Sequence, residues 1–259
     1  MKLKFLHPVA IGVLTLPLFA GCDTLSQVAA NLPQNPVGST TTGTSTNNSG
    51  TITQTEAVTG IKQALSNGLN NSINTLSVQN GFLGDAVVKI LMPPEAQQIE
   101  KTLRSVGMGA LCDNFITSLN RAAENAVKEA APVFVNALSQ MTVTDAFNIL
   151  VGTQQDAATN FFKRTTSSAL TAKFSPIVES ALGKNNVSAY WTQLTSAYNA
   201  LPLSNNKVQT DLNAYVTQKA IDGLFVKVAV EELKIRQNIG NSRSTGVLDK
   251  VFGWVDKQK

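Results

Sequence analysis

The sequence predicts an all-α fold: an irregular multi-helix bundle forming a single domain, behind a signal peptide and a tether. Three observations carry this. From Thr53 onward, apolar residues recur every three or four positions, the spacing of one helix face. No run alternates with period two between hairpin turns, as half-buried strands would. Prolines at 93, 94, 132 and 176 cut the pattern into pieces of unequal length, so the bundle is expected to be irregular rather than a symmetric four-helix one. Residues 54–259 make one domain, long enough to bury a core, with no internal repeat of fixed period.

The elements follow in order. Thr53-Gln54-Thr55-Glu56 has capping-box spacing, and Val58, Ile61, Leu65, Leu69, Ile73 and Leu76 share a face behind it. Asn80-Gly81 is the expected stop. Val87 to Met92 is a short apolar run, either an extended piece or a helical turn. Pro94 suits the first turn of a helix reaching about Val106, with Glu95 near its positive end. A long helical stretch follows from Ala110 to about Gln140, where Pro132 forces a kink or a break. Thr144-Asp145 opens a short helix closed by Gly152. The next runs from Thr153–Asp156 to about Leu182, with Pro176 as a bend. Asn186 to Ala200 and Asp211 to Asn238 are two further helices, and Gly246 to Trp254 is a last turn or helix.

Ahead of the domain stand Lys2 and Lys4, a mostly apolar run from Phe5 to Phe19, and Leu18-Phe19-Ala20-Gly21-Cys22. A basic start, an apolar middle and small residues at a cleavage point are the parts of an export signal. The apolar run is about 15 residues and is broken by Pro8 and Pro17, whereas a membrane span needs about 20. Ending on Cys, the segment resembles a lipobox. The resemblance implies that residues 1–21 are removed and that Cys22 is lipidated, holding the protein to a membrane through acyl chains.

Residues 22–53 are the tether. Between Asp23 and Glu56 there is no charged residue, and 18 of the 21 residues from Pro33 to Thr53 are Gly, Ser, Thr, Asn or Pro. Such a stretch buries too little apolar surface to order itself. As a flexible coil it reaches roughly 30 Å.

Loss of the signal changes the chemistry available. His7 is the only histidine, so the mature chain lacks imidazole for acid–base catalysis, for nucleophile activation and for the common zinc sites. Without Lys2 and Lys4 the formal charge falls from +4 to +2, and no nucleic-acid footprint remains. With Cys22 acylated, Cys112 is the one thiol, so no internal disulfide forms. Cys112 reads as a small buried residue, the alternative being a reactive thiol. No phosphate loop or metal-binding motif occurs, and no cofactor is expected.

Four segments carry a wider likeness: Met92-Pro93-Pro94-Glu95, Ser118 to Glu124, Met141 to Ala146, and Ala214-Tyr215-Val216-Thr217-Gln218-Lys219-Ala220-Ile221-Asp222-Gly223-Leu224-Phe225. They resemble a family of uncharacterised bacterial lipoproteins known only as a domain of unknown function. The likeness spans about residues 55 to 253. It implies a helical, membrane-held protein and brings no catalytic residue.

Polar and aromatic constellations give the candidate binding residues. Arg121 and Glu124 are three apart, and Glu124 and Lys128 four apart, as in surface helix pairs. Set among alanines, Asn120, Arg121 and Glu124 are alternatively buried, with Glu124 or Asp145 as partner for the arginine. Gln218, Lys219 and Asp222 form a polar strip with Thr217. Tyr190, Trp191 and Tyr198 cluster on one helix, suited to an interface or to the rim of the core. The preferred reading is a non-catalytic interaction module of the bacterial cell envelope, facing the periplasm and docking onto an envelope protein. One alternative is a binding module for an apolar small molecule or lipid inside the bundle. The other is a His-free enzyme using Glu124, Asp145 or Asp222. The outer membrane is preferred over the inner, although Asp23 after Cys22 resembles an inner-membrane retention signal of some proteobacterial lipoproteins.

Overall fold

The computed structural model describes residues 52–184, 187–200 and 211–258. The segment read as a signal peptide, Cys22 and all but the end of the expected tether lie outside the described residues. Within them the chain forms α1 (Gln54–Ser77), α2 (Gln97–Ser105), α3 (Gly109–Val127), α4 (Ala131–Gln140), α5 (Val143–Val151), α6 (Ala157–Lys184), α7 (Val187–Asn199), α8 (Leu212–Gln237) and α9 (Gly246–Asp256). No strand occurs among the described residues, and no helix there is long and apolar enough to cross a membrane.

Local chemistry sets most of the boundaries. The Thr53 hydroxyl accepts from the Glu56 N–H at 3.2 Å, and the Glu56 carboxylate accepts from the Thr53 N–H at 2.9 Å, closing the expected capping box. A second box, Thr142 with Asp145, starts α5 two residues earlier than the sequence suggests. It also takes Asp145 away from Arg121. Asp211 caps α8, and Asn238 ends it in the left-handed conformation. Pro132 has no N–H for the carbonyl four residues back, and there the chain tightens into a 3-10 turn, Lys128–Ala130, between α3 and α4. Pro176, by contrast, sits inside a continuous α6.

Four long helices make the centre. α3 and α8 pack on each other, α1 packs on both, and α6 packs on both. The shorter helices cover their outer faces. Phe134 of α4, Phe162 of α6 and Phe225 of α8 meet edge to face at centroid separations of 5.4 and 6.2 Å. Ala122, Ala123 and Ala126, all without exposure, let other elements approach α3 closely. Gly60 does the same for α9, since a Cβ there would stand 2.8 Å from the Val251 side chain.

One buried ion pair joins three helices. Glu232 of α8 accepts from the Ala158 N–H at 2.9 Å and from the Thr159 N–H and hydroxyl at 2.8 Å, capping α6 from another helix. Arg236, one turn on, donates to Glu232 at 2.8 Å and to the Ile149 carbonyl of α5 at 2.8 Å. Removing the carboxylate strands two helix N–H groups and a guanidinium that is 9% exposed. Glu232→Ala is expected to cost about 3 kcal/mol, read as a lowered urea midpoint in the far-ultraviolet signal. A loss under about 1 kcal/mol would show that the bridge is dispensable.

At the far end of α1, Lys250 donates to Glu56 at 2.6 Å. With the Thr53 bonds, this holds the Glu56 carboxyl down at about 2, from an ordinary 4.5. The stabilisation is therefore complete above about 4.5 and is lost as the pH falls through about 2. Glu56→Gln is expected to flatten that part of the acid-unfolding curve. An unchanged slope between those pH values would count against the ion pair.

Candidate functional site

Residues 78–93 leave α1 and cross the bundle before α2. The crossing is fixed by side chains of α3. Asn80 takes a positive φ of 68°, and its side-chain oxygen accepts from Arg121 at 2.7 Å. Glu124, 3% exposed, accepts from the Phe82 N–H at 3.2 Å, the Leu83 N–H at 3.4 Å and Arg121 at 2.6 Å. Asn120 is wholly buried. Its carboxamide accepts from the Ile90 N–H at 2.9 Å and donates to the Ile90 carbonyl at 2.8 Å. The expected solvated helix face is thus a buried clasp, because the alanines around it bring the crossing chain within reach. The clasp claims Glu124, and Lys128 donates to Asn125 at 3.1 Å.

The Lys89 N–H closes a last turn on the Asp85 carbonyl at 2.8 Å. From Ile90 to Met92 the chain then has neither helical nor ladder hydrogen bonds, and exposure alternates, with Lys89 and Leu91 out and Ile90 and Met92 in. This is the pattern of an extended segment. It lies beside α8. Phe82 seats against Gly223, where a Cβ would stand 2.7 Å from its ring. Lys227 pairs with Asp85, and the Tyr215 hydroxyl donates to the Leu91 carbonyl at 3.1 Å. Burial pushes the Tyr215 phenol up, with the charge of nearby Glu95 adding to it, so it remains the donor.

Between the segment and α8 runs a groove of about 300 Å³, walled by Ile90, Leu91 and Met92 on one side and by Tyr215, Lys219, Asp222 and Val226 on the other. A second recess of about 290 Å³ continues past Leu91 and Met92 toward Lys101 and Arg104 of α2. Val87 is 75% exposed, Leu91 56% and Val226 38%, so the rim presents apolar side chains to solvent. Lys219 lies 5.8 Å from the Tyr215 ring, and Gln218 donates to Asp222 at 2.9 Å. Three of the four segments that carry the family likeness meet at this groove or its clasp.

The other candidate residues take other places. Trp191 stacks on Phe115 at 5.3 Å, and Tyr190 and Tyr198 lean on the core half-buried. Cys112 is wholly buried, and burial pushes its thiol up, as suits the small-residue reading. Glu124 is held in the clasp and Asp145 in the α5 cap, while Asp222 faces the groove. Among the described residues no three His, Cys, Asp or Glu side chains gather as a metal site. A partly open apolar cavity lined by Ile61, Leu65, Phe162, Val228, Glu232 and Phe252 has a volume of about 20 Å³, room for a single water.

Neither Asn120's pairing with Ile90 nor the contact of Glu232 with α6 was visible in the sequence, since their partners lie 30 and about 74 positions away. The hints were Asn120's place among alanines and the four-residue spacing of Glu232 and Arg236. Asn120→Ala is expected to cost about 2 kcal/mol and to speed amide exchange at Ile90 well beyond that at α6. Uniform acceleration across both would mean that the clasp supports the whole bundle rather than the segment.

In comparisons with curated proteins and with solved structures, nothing matches the chain. A family model described as "Protein of unknown function (DUF4197)" matches residues 51–253, most of the sequence, and the chain belongs to that family.

Proposed function

We propose that this chain is a lipid-anchored interaction module of the bacterial cell envelope, which docks onto an envelope protein through the groove beside α8. The observation that carries the docking reading is the groove's apolar rim. Val87, Leu91 and Val226 stand in solvent around a concavity whose backbone wall is held by the Asn120 clasp. Unpaired apolar side chains around a preformed recess are what a docking surface offers. The lipid anchor rests on the lipobox-like segment ending at Cys22 and on the uncharged tether that follows.

A ligand inside the bundle finds less support, because a cavity of about 20 Å³ cannot hold an acyl chain. The carboxylate-enzyme reading likewise lacks a converging pair, since Glu124 and Asp145 are already engaged in structural bonds.

The test is photo-crosslinking in intact cells, with benzophenone placed at Val87. One envelope protein is expected to be captured at this position and not at Val143, exposed on α5. Val226→Arg is expected to reduce the product at least roughly fivefold. Cys22→Ala is expected to move the chain out of the membrane fraction. Products that are equal at both positions and indifferent to Val226→Arg would refute docking at the groove. Membrane retention of Cys22→Ala would refute the anchor.

A further inference from the structure

We propose that the groove takes an extended, acidic peptide segment of the partner, which adds as a strand to the backbone edge of residues 89–91. This rests on the docking reading of the same groove. The Asn120 carboxamide meets both the N–H and the carbonyl of Ile90, the two-point pairing that a neighbouring strand would make. One edge of the segment is thereby closed. In an extended chain the groups of the flanking residues point to the opposite edge. There the Tyr215 hydroxyl, on the groove wall, takes the Leu91 carbonyl.

On that open edge the Leu91 N–H and the Lys89 carbonyl have no hydrogen-bond partner among the described residues. An edge of this kind pairs with whatever chain can supply the matching donor and acceptor. A peptide backbone supplies both, whereas an acyl chain supplies neither.

The side chains narrow the peptide further. Exposed Val87, Leu91 and Val226 favour apolar residues at alternate positions. Lys89 and Lys219 line the groove without an ion-pair partner among the described residues, and Asp222, which accepts from the neutral Gln218 amide, keeps its charge, so the lining carries two cations against one anion. That surplus of positive charge favours acidic residues between the apolar ones.

The experiment uses the full mature chain in detergent and a fluorescein-labelled hexapeptide of alternating valine and aspartate, followed by anisotropy at low salt. Binding is expected. N-methylation of alternate peptide nitrogens, Lys219→Glu and Val226→Arg are each expected to weaken it roughly tenfold or more. A valine–lysine hexapeptide is expected to bind more weakly still. Both substitutions sit at exposed positions, and an unchanged circular dichroism spectrum checks that the fold is intact.

No binding of the probe, equal binding of the N-methylated peptide, or equal binding by Lys219→Glu would overturn the proposal. So would a self-associated chain in native mass spectra that Val226→Arg renders monomeric, since a second copy would then own the groove. Failure here with retained crosslinking from Val87 ends the strand-addition inference and leaves the docking reading in place. Loss of both ends both.

Discussion

A backbone broken into many helices leaves N–H and carbonyl groups without partners at every break, and a buried break cannot leave them so. In this chain, side chains from distant helices satisfy the costliest breaks. Glu232 takes the first N–H groups of α6, Arg236 takes a carbonyl of α5, and Glu124 with Asn120 takes the backbone that crosses α3. Arg243 closes the end of α8, donating to the Ile235 carbonyl at 3.0 Å and the Arg236 carbonyl at 2.6 Å. Apolar packing alone would hold four helices side by side. These polar ties set where each shorter piece begins and which way it runs.

The candidate site is a by-product of the same constraint. A segment with neither helical nor ladder bonds needs partners for its backbone, and α3 supplies them along one edge only. The other edge faces α8, where Gly223 allows Phe82 to seat closely and Tyr215 covers one carbonyl. What is left between them is a concavity with a fixed backbone wall and apolar side chains at its rim. The clasp lets this segment keep a defined shape without joining a sheet.

Charge is handled differently in the interior and at the groove. Glu124 and Glu232 are buried, each with an arginine one turn away and backbone N–H groups around the carboxylate, so both carboxylates are met. Lys89 and Lys219, at the groove, are left to solvent. The contrast separates charges that build the fold from charges available to a partner.

The sequence by itself determined the helical class, the Thr53 capping box, the break at Pro132 and the burial of Cys112, because each depends on residues within a turn or two of one another. It also carried the family likeness and the segment that resembles a lipobox. It marked Lys219 and Asp222 as a polar strip and Arg121 with Glu124 as a pair, but helix spacing cannot say which face a third element covers. Only the tertiary structure decided that Glu124 is buried while Asp222 lines a groove, that Trp191 rests on Phe115, and that Asn120 pairs with Ile90. Those outcomes depend on contacts between residues far apart in the chain. Such contacts form only when packing brings helix faces together, and no local spacing records which faces meet.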